Sequence, residues 1–141
     1  MIRTVSQISP RNLAHCLIIE DSAFDSQKMS RVVDKVVKGC PVRVATSLRE
    51  ARKMLSEAAP AFILLDNNLP DGKGADFARE LAANARLAHI PVVLISDWPS
   101  PFMWEKAASA GVLHVVDKSD FDARYVHAAV RTARERRGRL N

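Results

Sequence analysis

The chain carries little of what small proteins use to hold a fold from outside the core. Its 141 residues include two cysteines, Cys16 and Cys40, and only 6% aromatics. The cysteines form no CxxC pair and read as ordinary thiols of a reducing compartment, not as a disulfide. No row of interleaved aromatics offers bases a stacking surface. The longest apolar runs are about five residues, too short to span a bilayer. Residues 1–14 lack the apolar stretch of a secretory signal, so a cytoplasmic protein is expected. There is no repeat, low-complexity tract or long linker.

What is present suits one domain. Hydrophobic residues make up 48% and charged residues 26% of a 15.6 kDa chain, enough for a real core without a disulfide or metal staple. The formal charge of +5 and the pI of about 9.6 invite a nucleic-acid reading, but the excess is local. Arg124, Arg131, Arg134, Arg136, Arg137 and Arg139 face Glu135 alone in the last eighteen residues, and the rest of the chain is neutral. Cations at the C-terminal end of a helix complement its dipole, so a solvated helix end is expected and nucleic acid is not. The organisation reads as an N-terminal extension over 1–14, one domain over 15–137 and a basic tail over 138–141.

Two kinds of segment alternate. Short apolar runs fall at Cys16–Glu20, Val42–Thr46, Phe62–Asp66, Val92–Ser96 and Val112–Val116, and three of them are almost continuously apolar, as central strands covered on both faces are. Between them the apolar residues recur at helical spacing. One helix is expected over Phe24 to Lys38 with Gly39 as its stop, and another after Ser47, which pairs with Glu50 as a capping box. A third spans Ala75 to Ala85, a fourth runs from Ser100-Pro101 toward Gly111, and the last carries Phe121, Tyr125, Val126, Ala129, Val130 and Ala133. Five strand–helix repeats imply a doubly wound parallel α/β sheet with helices on both faces.

Ligands of such sheets bind beyond the carboxyl ends of the strands. The first run ends in Glu20-Asp21, the third in Asp66 and the fourth in Ser96, and Asp117-Lys118 follows the fifth. Three converging carboxylates repel one another unless a cation sits among them, and Mg²⁺ suits a few carboxylates with water. Lysine and hydroxyl beside them match a phosphoryl group, with a carboxylate as nucleophile.

With these residues the chain resembles the response-regulator receiver domain of two-component signalling, from about Cys16 to Arg134. The segment Leu65-Asp66-Asn67-Asn68-Leu69-Pro70-Asp71-Gly72-Lys73-Gly74 is similar to the family's phosphoacceptor loop, and Ala110-Gly111 precedes the fifth strand as in the family. The resemblance implies a flavodoxin-like (βα)5 fold of strand order 2-1-3-4-5. It implies that Asp66 accepts a phosphoryl group from a histidine kinase or phosphotransfer protein. Asp21 would ligate Mg²⁺ directly, Glu20 mostly through water, and Asn68 through its backbone carbonyl, with Asp66 completing the set. Lys118 would contact the phosphoryl group and Ser96 would follow it by hydrogen bond. The domain would be regulatory, not a conventional enzyme. A chain with no room for an output domain would signal by contact with a protein target, and a homodimer stays open as an assembly.

Four positions depart from the family pattern: Val115 replaces the usual switch aromatic, Ser119 the usual proline, Asp97 a small residue, and Trp98 begins a stiff loop, Trp98-Pro99-Ser100-Pro101. Without proline a trans bond after Lys118 is expected, and with it a displaced Lys118 loop. Trp98 would either shield the phosphoryl group or pack on the last two helices. A haloacid-dehalogenase-type hydrolase needs a second Asp where Asn68 stands. A flavodoxin-like nucleotide binder needs a Gly-rich loop where Asp21-Ser22-Ala23-Phe24 offers acid. The remaining alternative is a pseudo-receiver, the same fold working as a phosphorylation-independent binding module.

Overall fold

The computed structural model describes residues 14–140. The proposed N-terminal extension, apart from Ala14, and the last residue of the basic tail therefore lie outside the described residues. The elements are β1 (Cys16–Ile19), α1 (Ala23–Val36), β2 (Val42–Ala45), α2 (Leu48–Glu57), β3 (Phe62–Asp66), β4 (Asn68–Leu69), β5 (Gly72–Lys73), α3 (Gly74–Ala82), β6 (Val92–Ser96), α4 (Pro101–Ser109), β7 (His114–Asp117) and α5 (Ala123–Leu140). A single 3₁₀ turn, Lys118–Asp120, links β7 to α5. The main sheet is parallel with order β2-β1-β3-β6-β7, which is 2-1-3-4-5 when only its five strands are counted.

Apolar runs with no sequence alternation are sorted by the pleat into two cores, because successive side chains point to opposite faces. Leu17, Ile19, Ile63, Leu65, Leu94 and Val115 pack under α2, α3 and α4 with Leu55, Phe77 and Ala107. Cys16, Ile18, Leu64, Val93, Ile95 and Val116 pack under α1 and α5 with Met29, Val33 and Val126. Both cysteines are free, and Cys16 is wholly buried.

The caps explain most boundaries. Ser22, Ser47 and Ser100 each accept the N–H three residues on, from Asp25, Glu50 and Met103. Glu50 closes its box one residue early, on the Thr46 N–H at 2.6 Å. The fifth strand starts at His114, two residues later than the apolar run suggests. Gly111 (φ 72°) ends α4 with its N–H on the Ala108 carbonyl, and the Val112 N–H returns to Ala107 at 3.1 Å. That paired arrangement is a Schellman cap, so Val112 serves the helix end. The third helix stops at Ala82, short of Ala85, because Asn84 turns the chain: its Oδ1 accepts the Arg86 N–H at 3.0 Å. Phe121 lies just ahead of α5 and stacks near Tyr125 with ring centroids 6.3 Å apart. No described helix is long and apolar enough to cross a membrane.

Candidate functional site

The parallel register brings the strand ends level. Ile19 pairs with Leu65, so the next residues, Glu20 and Asp66, stand side by side, while Asp66 pairs with Ile95 and Ser96 with Asp117. Glu20, Asp66 and Ser96 are buried and Asp21 is exposed at the rim. Ligand oxygens of Glu20, Asp21 and Asp66 all lie within 4.8 Å of one another. The Lys118 ammonium reaches in from the far side of the sheet, 3.1 Å from Glu20 Oε1 and 3.7 Å from Asp66 Oδ1. The sequence expectation thus finds its acids, serine and lysine at one edge.

The arrangement is electrostatically unsettled. Burial pushes the Glu20 carboxyl up to about 7, with the neighbouring Asp66 charge adding to the effect; the Ser22 N–H, donated to Oε2 at 3.0 Å, and Lys118 pull it back. Asp66 is raised chiefly by burial, and by the charges of Asp21 and Asp97, against the opposing pull of Lys118 and the Asn68 N–H. The same clustering holds the Lys118 ammonium firmly protonated, its ion partners outweighing its burial. Glu20 Oε1 and Asp66 Oδ1 are buried without a hydrogen-bond partner; the ammonium forms an ion pair with Glu20 at 3.1 Å and lies beyond hydrogen-bond distance of Asp66 at 3.7 Å. Buried carboxylate oxygens left in this state call for a cation. An all-oxygen donor set, with an exposed carboxylate leaving room for water, fits Mg²⁺.

The loop after Asp66 is tightly built. Asn67 donates to the Ile95 carbonyl at 3.0 Å, and its Oδ1 accepts the Ala75 N–H at 2.9 Å, starting α3. Asn68 opens the β4–β5 hairpin, with its Oδ1 on Lys73 Nζ at 2.8 Å. A side chain at Gly74 would run into the Asp66 carbonyl oxygen and the Asn67 Cα, so only glycine lets α3 begin against the end of β3.

The departures have concrete consequences. Val115 fills its position as a buried core residue. The bond after Lys118 is trans, as expected, and the Lys118 ammonium lies at the acidic cluster. Asp117 Oδ1 takes the Ser119 N–H at 2.9 Å and its hydroxyl at 2.7 Å, and this 3₁₀ turn aims Lys118 inward. Trp98 is 87% exposed, so it neither packs on the last helices nor covers the strand ends; its N–H lies 3.4 Å from Ser96 Oγ.

Two residues escaped the sequence reading. Asp25, in the first turn of α1, accepts Lys118 Nζ at 2.8 Å, the shortest contact that ammonium makes. Its spacing of three from the cap Ser22, which turns it back toward the strand ends, was the available signal. Asp71 reaches across to α2, accepting the Leu48 and Arg49 N–H groups; no local pattern announces that contact.

The doubly wound sheet thus carries an acidic cluster, a lysine and a serine at its carboxyl edge. The response regulator receiver domain family matches residues 16–131, and the chain belongs to it. It is similar to the transcriptional regulatory protein DpiA of Escherichia coli (strain K12), 33% identical over 75 residues, which are 53% of this chain and 31% of DpiA. The chain thus aligns with under a third of that relative's length. Among solved structures it resembles the signal receiver domain of a signal transduction histidine kinase from Syntrophus aciditrophicus, with TM-score 0.75 and 23% identity over 86% of this chain and 91% of that one. It also resembles the Mn²⁺-bound form of response regulator Rcp1, with TM-score 0.63 and 24% identity over 83% and 89% of the two chains. These two likenesses concern the fold.

Proposed function

We propose that residues 15–137 act as a cytoplasmic phosphoacceptor unit, taking a phosphoryl group onto Asp66 from a histidine kinase or phosphotransfer protein and signalling through protein contacts. The observation that carries this reading is the unpartnered, buried Asp66 Oδ1 beside an ammonium. A carboxylate oxygen of Asp66 would attack phosphorus as the bond to the donor imidazole breaks, and the imidazole would leave neutral. Glu20, Asp21, Asp66 and the Asn68 carbonyl would hold Mg²⁺, as the Rcp1 structure holds Mn²⁺ in its own fold. When bound, the ion offsets the negative charge shared by the carboxylates and the phosphoryl oxygens. Lys118 would move from its carboxylate partners to a phosphoryl oxygen, and the Ser96 hydroxyl would donate to another.

Acetyl phosphate with Mg²⁺ should add one phosphoryl group to the wild type and none to Asp66→Asn, read by intact mass and peptide mapping. A label on any other residue overturns the assignment. An unlabelled wild type that still folds would leave the pseudo-receiver reading in its place.

A further inference from the structure

The Lys118 ammonium stands among three carboxylates, and the nearest of them, Asp25, is outside the acidic cluster. Asp25 Oδ2 accepts the ammonium at 2.8 Å, while Glu20 Oε1 forms an ion pair with it at 3.1 Å and Asp66 Oδ1 lies beyond hydrogen-bond distance at 3.7 Å. Asp25 is a built partner. Its N–H is held by the Ser22 cap at 3.2 Å, its side chain is only 28% exposed, and a carboxylate in the first turn of a helix sits at the favourable end of the dipole. The lysine side chain is itself mostly enclosed, at 18% exposure.

We infer that Asp25 is a positioning residue that holds the Lys118 ammonium beyond hydrogen-bond reach of Asp66 until a phosphoryl group draws it in. An ammonium is a compact charge on a flexible stem and follows the nearest acceptor. Removing Asp25 leaves Glu20 and Asp66 as the nearest acceptors, and both belong to the set that would hold a divalent cation. Two consequences of opposite sign follow. The released ammonium competes with a cation for the cluster, so cation affinity falls. The ammonium no longer has a partner to give up when an anionic group arrives on Asp66, so affinity for that group rises. A residue that merely supported the fold would weaken both.

The inference rests on the phosphoacceptor reading for its second consequence, and its test separates the two. The variant is Asp25→Asn, nearly isosteric, with folding checked by circular dichroism. Mg²⁺ titration should show affinity lowered roughly three- to tenfold, and beryllofluoride titration at saturating Mg²⁺ should show affinity raised by a similar factor. Both changes should vanish in a Lys118→Ala background, which separates an effect through the lysine from the simple loss of a charge. Metal-free ¹⁵N spectra supply an independent reading: a Lys118 ammonium signal protected from exchange in the wild type should be lost in Asp25→Asn. Unchanged ammonium spectra, or affinity changes that persist without Lys118, overturn the role of Asp25. A wild type that binds neither Mg²⁺ nor beryllofluoride overturns the phosphoacceptor reading, while the ammonium spectra still decide whether Asp25 holds the lysine.

Discussion

Asp71 grips the start of a helix that precedes it by more than twenty residues: its Oδ1 accepts the Leu48 N–H at 2.8 Å and its Oδ2 the Arg49 N–H at 3.0 Å. These are two of the N–H groups that α2 leaves without an internal partner. The loop that follows the proposed phosphoacceptor strand is thereby fastened to the neighbouring helix. The two N–H groups hold the Asp71 carboxyl below the usual carboxylate range. A lowered folded value stabilises above the unfolded value near 3.9, and that contribution disappears as pH falls through the folded value. Asp71→Ala should therefore lower Tm by a few degrees at pH 7, and the gap to wild type should narrow at pH 3. A gap of the same size at both pH values would separate stability from this carboxylate's charge.

Gly74→Ala sets two effects against each other. Alanine favours a helix over glycine by roughly 0.8–1 kcal/mol. Its methyl, however, would meet the Asp66 carbonyl and the Asn67 Cα, rigid backbone atoms that yield only if β3 or α3 shifts. Overpacking of this kind costs about 1–3 kcal/mol, so net destabilisation is expected. Urea denaturation measures it, and phosphorylation by acetyl phosphate should slow in the same variant because Asp66 is displaced. A variant as stable as wild type would show that α3 can start elsewhere.

Glu20 predicts how stability responds to pH in the absence of metal. Its carboxyl, raised to about 7 chiefly by burial, binds a proton more tightly in the folded than in the unfolded chain. Stability from this group is complete below the unfolded value near 4.3 and is lost as pH climbs through about 7. In EDTA, Glu20→Gln should melt several degrees above wild type at pH 8, and the two curves should converge near pH 4. If the variant tracks wild type at every pH, ionisation of Glu20 does not burden the fold.

Magnesium should reverse that burden by linkage. Free ion at 100 times its Kd stabilises by about 2.7 kcal/mol, a shift of several degrees in Tm. Asp21 is exposed and outside the core, so Asp21→Ala should leave the metal-free Tm nearly unchanged and remove most of the Mg²⁺-dependent rise. Thermal melts of both proteins across millimolar Mg²⁺ provide the measurement. A wild-type Tm indifferent to Mg²⁺ would mean the acidic cluster does not hold the ion.

The sequence alone determined the alternation of strands and helices and the residues that close each strand, because apolar periodicity, serine caps and terminal acids are properties of short segments. Glu20, Asp21, Asp66, Ser96 and Lys118 were legible for that reason. A continuous run such as Cys16-Leu17-Ile18-Ile19 is silent about which side chain faces which core; the pleat and the two helical layers made that division. Local apolarity likewise could not tell Val112 from a strand residue, since its role was set by a bond back to Ala107 in the preceding helix. Lys118 shows the boundary most sharply. Its identity was readable, but its partner Asp25 stands 93 residues away, and the choice among three carboxylates is a matter of tenths of an ångström. Contacts of that kind depend on how the folded sheet brings α1 beside the turn after β7, and Coulomb and hydrogen-bond energies vary with that distance and not with sequence separation.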